Sequence, residues 1–185
     1  MKVLIACEYS GRIREAFAAL GHDAWSCDLL PTEQPGQHIQ GDVRPLLQQP
    51  WDLVVAHPPC THLANSGARW PKPDDVVAEA VRFFKDCLSA NAPRVAVENP
   101  VMNRKRTGIR KPDFSVQPWQ FGDPYAKRTC FWTRGLQPLV PTHERPEVIE
   151  HAVHKAPPGP DRWKDRSRTY PGLARAIAQQ WGEQA

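Results

Sequence analysis

The stretch WDLVVAHPPC, residues 51–60, decides how this chain folds. Trp51 to Ala56 is a short, nearly continuous apolar run, the pattern of a strand buried on both faces. His57-Pro58-Pro59-Cys60 then ends the strand with two residues that cannot donate to a ladder. The same unit occurs upstream: KVLIAC, residues 2–7, is a second such strand, followed by the turn Glu8-Tyr9-Ser10-Gly11. Ser10 is placed to cap a helix over residues 11–20 that ends at Gly21. Asp23 to Asp28 is a further short strand, residues 31–41 a Pro/Gly/Gln loop, and Asp42 to Gln48 a short helix or turn. Downstream, Val76, Val77, Ala80, Val81, Phe84 and Leu88 recur at helical spacing, which predicts a helix over residues 74–91. Arg94 to Val97 is a fourth strand running into Glu98-Asn99-Pro100. Strand, turn and helix in alternation predict an α/β fold: a Rossmann-like, mostly parallel sheet flanked by helices.

The second half is less regular. Proline totals 20 residues and is concentrated after residue 90. Residues 101–118 read as a long basic loop, 128–133 as a late strand, 141–169 as weakly patterned chain, and 171–181 as a closing helix with proline at its start. At 185 residues, 41% hydrophobic and 24% charged, the composition is that of one globular domain spanning residues 1–185. No apolar run approaches the ~20 residues of a membrane span, and the N-terminus lacks the cleavage site of a secretory signal. Five widely spaced cysteines, an odd number, are not a disulfide framework and point to a reducing, cytoplasmic setting. Charge is uneven: residues 21–60 sum to −4, residues 101–135 to +6 and residues 161–175 to +3. The basic segments suit either a polyanion partner or a solvated loop.

In parallel sheets ligands bind at the carboxyl ends of the strands, and the polar clusters fall there. Cys60, beyond a buried strand and held by two prolines, has the rigid backbone and exposed side chain of a nucleophile; the plainer reading is an inert small hydrophobe. Glu98, at the end of the fourth strand, is placed to hydrogen-bond a base edge or move a proton, or to serve as a turn residue before Pro100. A turn into a helix N-terminus at Glu8 to Gly11, with Asp28 at the next strand's end, is a nucleoside-binding arrangement, although it has a single glycine. His57 and His62 flank Cys60, and either could lower its pKa. His143, His151 and His154 match no metal-ligand spacing.

The order of these features resembles the S-adenosylmethionine-dependent DNA cytosine C5-methyltransferases. Ile5 to Gly11 is similar to their glycine-containing first motif. Gly21 to Asp28 and Gly41-Asp42-Val43 resemble the second and third, and Asp52 to Cys60 resembles the Pro-Cys motif. Val97-Glu98-Asn99 resembles the Glu-Asn motif, Phe121 to Phe131 the eighth, and Thr169 to Ala178 the tail. The resemblance implies a class I methyltransferase-like fold and S-adenosylmethionine as cofactor. It implies cofactor contacts from Glu8, Tyr9, Ser10, Gly11, Asp28, Leu29, Asp42, Val43 and Pro58. It also implies DNA as partner, with the target cytosine flipped from the duplex, Cys60 adding to its C6 and Glu98 holding N3 and the amine. Asn99, Arg104, Lys105, Arg106, Arg110, Lys127 and Arg128 would contact the nucleic acid, with steep salt dependence.

The departures are specific. Glu8 and Ser10 stand where the family has glycines, and Tyr125, Lys127 and Thr129 stand where it has Gln, Arg and Arg. About 35 residues separate Phe131 from Ser167, too few for the family's target-recognition domain. Specificity is then short, absent or supplied by a partner. Amino-methyltransferases share the sheet but place an aromatic after Pro-Pro, where this chain has Cys60. A zinc deaminase would need Pro-Cys-x-x-Cys, and residue 63 is leucine. A binding protein with an altered methyltransferase fold, an RNA or nucleotide substrate and a modified cofactor remain open.

Overall fold

The structure, a computed structural model, describes residues 1–151, 159 and 161–183. One seven-stranded sheet runs through it. Its strands are β1 (Lys2–Ala6), β2 (Asp23–Asp28), β3 (His38–Gln40), β4 (Leu53–Ala56), β5 (Arg94–Asn99), β6 (Phe114–Val116) and β7 (Thr129–Arg134). The order across the sheet is β3-β2-β1-β4-β5-β7-β6. The first five strands are parallel, and β7 runs antiparallel to both β5 and β6. Strand order reverses between β1 and β4, so the crevice that such sheets offer to ligands opens there.

Alternation along the strands assigns the faces. Leu4, Ala6, Val54, Ala56, Val95 and Val97 bury one side of the sheet under α2 (Arg44–Leu47) and α3 (Asp74–Leu88). Val3, Ile5, Leu53, Val55 and Ala96 bury the other side under α1 (Arg12–Ala18) and the C-terminal helix. The short helices α4 (Arg104–Thr107) and α5 (Arg162–Ser167) lie in the irregular second half, and α6 (Pro171–Gly182) is the C-terminal helix. Proline opens α6 at its first turn, where its missing N–H removes nothing. The Asp123 carboxylate accepts from the N–H groups of Gly172 and Leu173 there.

The predicted parallel sheet is therefore present, with differences of detail. The loop over 31–41 contains β3, and the loop over 101–118 contains α4 and β6, elements of three or four residues that leave little periodic signal. The strand expected from Trp51 starts at Leu53, and α3 stops at Leu88. Helix α1 is shorter than expected and is not capped by Ser10. Glu8 does this instead, accepting from the N–H of Ile13 at 2.7 Å and of Arg14 at 3.3 Å. The loop before β3 is held by Arg14, a buried guanidinium that donates to Ser26, Thr32 and the carbonyls of Gln34 and Pro35. Gly11 and Gly36, both at positive φ, approach that guanidinium so closely that a Cβ would lie 2.7 and 2.8 Å from it.

Candidate active site at the carboxyl edge of the sheet

Register brings the site together. Ala6 of β1 pairs with Ala56 of β4, and Ala56 pairs with Val97 of β5. The next residue along β4 and β5 is therefore His57 and Glu98, level with one another on neighbouring strands. Side chains alternate along a strand, so both fall on the α6 side, and His57 Nδ1 lies 3.2 Å from Glu98 Oε2. Their side chains are only 13% and 17% exposed. Asn99, one residue on, turns to the opposite face. It is buried and its amide donates to the carbonyl of Pro58 at 2.8 Å, tying the end of β5 to the Pro-Pro turn.

Lys127 enters from the chain just before β7. With His57, Glu98, Thr169 and Tyr170 it lines a narrow cavity that leaves room for about one water. Its ammonium donates to the carbonyls of Ser167 at 3.5 Å and Arg168 at 3.3 Å. Burial pulls the Lys127 pKa down, against the opposing charge of Glu98 and Cys60. Cys60 is exposed as a residue; burial of its thiol and the Glu98 charge raise its pKa, while Lys127 and Arg166 oppose the rise. Burial also pushes Glu98 up, but its hydrogen bond to His57 and the charges of His57 and Lys127 hold it below the usual value. The carboxylate, held as the anion, the imidazole and the Lys127 ammonium line one cleft, and the Cys60 thiol and Arg166 are near enough for their charges to act on the group.

The edge over β1, β2 and β3 is different. Asp28 ends β2 with its carboxylate accepting from the Leu30 N–H at 3.0 Å, and burial raises its pKa. Asp42, after β3, accepts from the Arg44 N–H. Leu29 is 72% exposed between them. Gly11 takes a left-handed conformation (φ 72°) at the entrance to α1. Tyr9 is buried, and its hydroxyl donates to the carbonyl of Lys164 and meets Ser167 Oγ at 3.0 Å. The side chains of Glu8 and Ser10 are turned inward, with Ser10 donating to Glu8. Of the residues expected to hold a cofactor, Asp28, Leu29, Asp42 and Val43 lie along this edge at or after the ends of β2 and β3, whereas Pro58 follows β4. Glu8 serves α1.

A strap crosses both edges. Arg168 makes a two-pronged ion pair with Glu33 at 2.6 and 2.8 Å. Arg12 donates to the Thr169 carbonyl, and the Trp163 ring lies 6.0 Å from that of Tyr9. Residues 161–170 thus rest on the β1 loop on one side and on Lys127 on the other. The basic residues expected to meet nucleic acid divide as well. Arg104, Lys105 and Lys111 are exposed, Arg106 pairs with Asp74 and Arg110 with Asp113, and Arg128 is exposed with its Nε on Ser115. Lys127 is turned into the cleft.

Sequence reading placed Cys60 and Glu98 together but missed the partners. His57 pairs with Glu98, not with Cys60; counting to the ends of the two strands would have found it. Arg166 had no signal, because α5 is six residues long and far away in sequence. Among the described residues no group of three or more His, Cys, Asp or Glu side chains could hold a metal; His154 lies outside the described residues. No helix among them is long and apolar enough to cross a membrane.

No protein-family model matches the chain, and no curated protein matches it at a significant level. Solved structures do: 43 chains resemble it. One is a crystal structure described as a candidate DNA modification methyltransferase encoded within a prophage, from E. coli. The likeness has a TM-score of 0.53 at 18% identity, and covers 82% of this chain and 54% of that one. The fold is thus similar to that of methyltransferases: a seven-stranded sheet flanked by helices. The chain spans about half the length of that neighbour.

Proposed function

We propose that this chain transfers a methyl group from S-adenosylmethionine to C5 of cytosine in DNA, by way of a covalent bond between Cys60 and C6 of the base. What supports the reading is that Cys60 stands just past β4, Glu98 on the neighbouring β5 and Lys127 just before β7, that Glu98 and Lys127 line one cavity, and that the charges of both act on the Cys60 thiol. The methyltransferase-like fold supports it.

The residues along the other edge suit the cofactor. Asp28 and Asp42 are carboxylates at neighbouring strand ends, where hydroxyl and amine donors would meet them. Exposed Leu29 offers an apolar surface for a flat ring, and the backbone around Tyr9 to Gly11, Val43 and Pro58 completes the contact. A cationic sulfonium also suits an edge rich in carboxylates. When bound, the cofactor supplies an electrophilic methyl group.

The chain's own residues do the rest. C5 of cytosine is a weak nucleophile, and addition of the Cys60 thiolate to C6 turns the ring into an enamine whose C5 can attack. Glu98 binds the N3 and amine edge and places a proton on N3 as the C6–S bond forms. Lys127, with Arg166 behind it, counters the negative charge of the thiolate. Loss of the C5 proton and departure of the thiol restore the aromatic ring. The cavity is too small for a pyrimidine, so a flipped base enters when the 161–170 strap shifts. Exposed Arg104, Lys105, Lys111 and Arg128 bind phosphates.

The test is intact-mass analysis of the protein incubated with the cofactor and a duplex containing 5-fluorocytosine, which traps the adduct because C5 carries no removable proton. A covalent adduct, absent in Cys60→Ala, together with 5-methylcytosine in ordinary DNA, is expected. Absence of adduct and product, with cofactor binding retained by calorimetry, would move the reading to another substrate. Absence of cofactor binding as well would leave a nucleic-acid-binding protein on this fold.

A further inference from the structure

Two segments adjoin Cys60, and each carries a side chain that the proposed chemistry does not use. Of the aromatic side chains among the described residues, only Trp70 and Trp163 are exposed, at 61% and 52%. A single exposed tryptophan needs no explanation. These two share an environment: each has the cation of a sequence neighbour over its ring. The Arg69 guanidinium lies 5.0 Å from the centre of the Trp70 ring, and the Lys164 ammonium lies 5.8 Å from that of Trp163.

Trp70 belongs to the chain that leaves Cys60. Lys72 donates to the Thr61 carbonyl at 2.6 Å, which closes residues 61–72 into a loop beside Cys60. Pro71 and Pro73 stiffen its end. The loop is anchored on the chain around α4. The Asn65 N–H donates to the Val101 carbonyl and the Asn103 N–H to the Leu63 carbonyl, both at 2.8 Å, and Arg106 donates to the Lys72 carbonyl. Arg104 and Lys105 of α4 are exposed. Trp163 belongs to α5, on the strap. Arg166 follows it by one helical turn, and the Arg166 charge acts on both Cys60 and Lys127. Arg166 Nε is buried and has no acceptor. A guanidinium is always charged and always a donor, and a phosphate oxygen is an acceptor that suits it.

These parts suit one form of nucleic acid. In a duplex every base is stacked above and below, and only its edges show in the grooves. An exposed indole can stack only on a base that has lost such a neighbour. Aromatic rings with cations beside them therefore serve single strands, with bases on the rings and phosphates on the cations.

We propose that Trp70 and Trp163 are stacking platforms for unpaired bases of the strand that enters the cleft, so that the preferred substrate is single-stranded or locally opened DNA. The inference rests on the DNA substrate proposed above and not on the bond to Cys60. Arg69, Arg104, Lys105 and Lys164 hold phosphates of that strand. A duplex reaches the same platforms only after unpairing and unstacking, which weakens its binding.

The experiment measures binding by fluorescence anisotropy of labelled oligothymidylate, which contains no cytosine, and of the same strand annealed to oligoadenylate. The proteins are the wild type and the Trp70→Ala, Trp70→Phe, Trp163→Ala and Trp163→Phe variants, with circular dichroism and the thermal midpoint as the check that each is folded. The wild type is expected to bind the single strand about tenfold more tightly than the duplex, because the duplex must first give up its stacking. Each alanine variant should lose about tenfold in single-strand affinity, and each phenylalanine variant much less, because any aromatic ring can stack. The dependence on salt should keep its slope, since no phosphate contact is removed. A duplex bound as tightly as the single strand would overturn the proposal and leave the C5 reading standing. So would alanine variants that bind like the wild type, or phenylalanine variants as weak as the alanine ones. Oligouridylate bound more tightly than oligothymidylate would overturn DNA as the strand. Adduct formation separates the two readings: a single strand containing 5-fluorocytosine should react faster than its duplex. A wild type that binds single strands through both tryptophans but forms no Cys60 adduct would overturn the C5 reading and leave the platforms standing.

Discussion

The two halves of the sheet's carboxyl edge are made from the same kind of strand and carry opposite chemistry. Over β1, β2 and β3 the strand ends bear Glu8, Asp28 and Asp42, and the loops are pinned inward by Arg14 and by the capping role of Glu8. Over β4, β5 and β7 they bear Cys60, Glu98 and Lys127, with Arg166 and the exposed cations of α4 beyond. The first edge is suited to holding a cationic small molecule, and the second to a polyanion and a nucleophile. His57 stands at the boundary, level with Glu98 in register and facing the carboxylates of the other side. Under the proposed function the first edge holds the cofactor and the second carries the reaction, and the change of strand order from β1 to β4 is what separates them.

The largest effect should come from the nucleophile itself. Cys60→Ala is expected to abolish adduct formation and turnover and to leave cofactor affinity unchanged by calorimetry; a parallel loss of cofactor affinity would mean that the two edges are not separate. Glu98→Gln should slow methyl transfer by about a hundredfold or more, read as single-turnover rate on a cytosine duplex, again without a matching change in cofactor affinity. An unimpaired Glu98→Gln would reduce this residue to a turn.

Alkylation of Cys60 by iodoacetamide sharpens the electrostatics. The thiol pKa is raised by burial and by Glu98 and opposed by Lys127 and Arg166, so reactivity should climb late as pH rises through the pKa. Lys127→Met removes a cation that favours the thiolate and should move that climb to still higher pH. Glu98→Gln removes an anion and should move it lower. Movement of both in the same direction would contradict the charge assignment.

The smallest effects lie at the pinned loops. Glu8→Ala should cost about 1 kcal/mol of stability, seen in the denaturation midpoint, because α1 loses its cap; a change in cofactor affinity at unaltered stability would instead make Glu8 a ligand residue. The Glu33 pKa is lowered chiefly by its hydrogen bond to Arg168. The stabilisation this pair gives the strap is therefore present above the unfolded carboxylate pKa and is lost as pH falls through the folded one. Relative to the intrinsic exchange rate at each pH, amide protection of residues 162–169 should fall modestly with acidification in the wild type and be low and less pH-sensitive in Glu33→Gln.

Much of the fold was legible because buried parallel strands announce themselves. KVLIAC, WDLVVA and RVAV have no polar face, and the helix over 74–88 has a clear one. Cys60 and Glu98 were legible for the same reason: each stands at or just past the end of a strand that the sequence marks with proline. Short elements were not. β3, β6 and α4 have three or four residues each, less than one full period of any pattern, and are held by pairing and by Arg14 rather than by their own composition.

The sequence by itself determined the parallel sheet, its carboxyl edge and the thiol and carboxylate that stand on it, because apolar runs and prolines act locally. Only the tertiary structure decided what those groups face. The His57–Glu98 contact depends on the register of β4 against β5, and the turning of Lys127 into the cleft on the antiparallel return of β7. The arrival of Arg166 at Cys60 depends on the seating of a six-residue helix against Tyr9 and Glu33. Those are relations between distant segments, set by which surfaces bury each other best, and no local pattern encodes them.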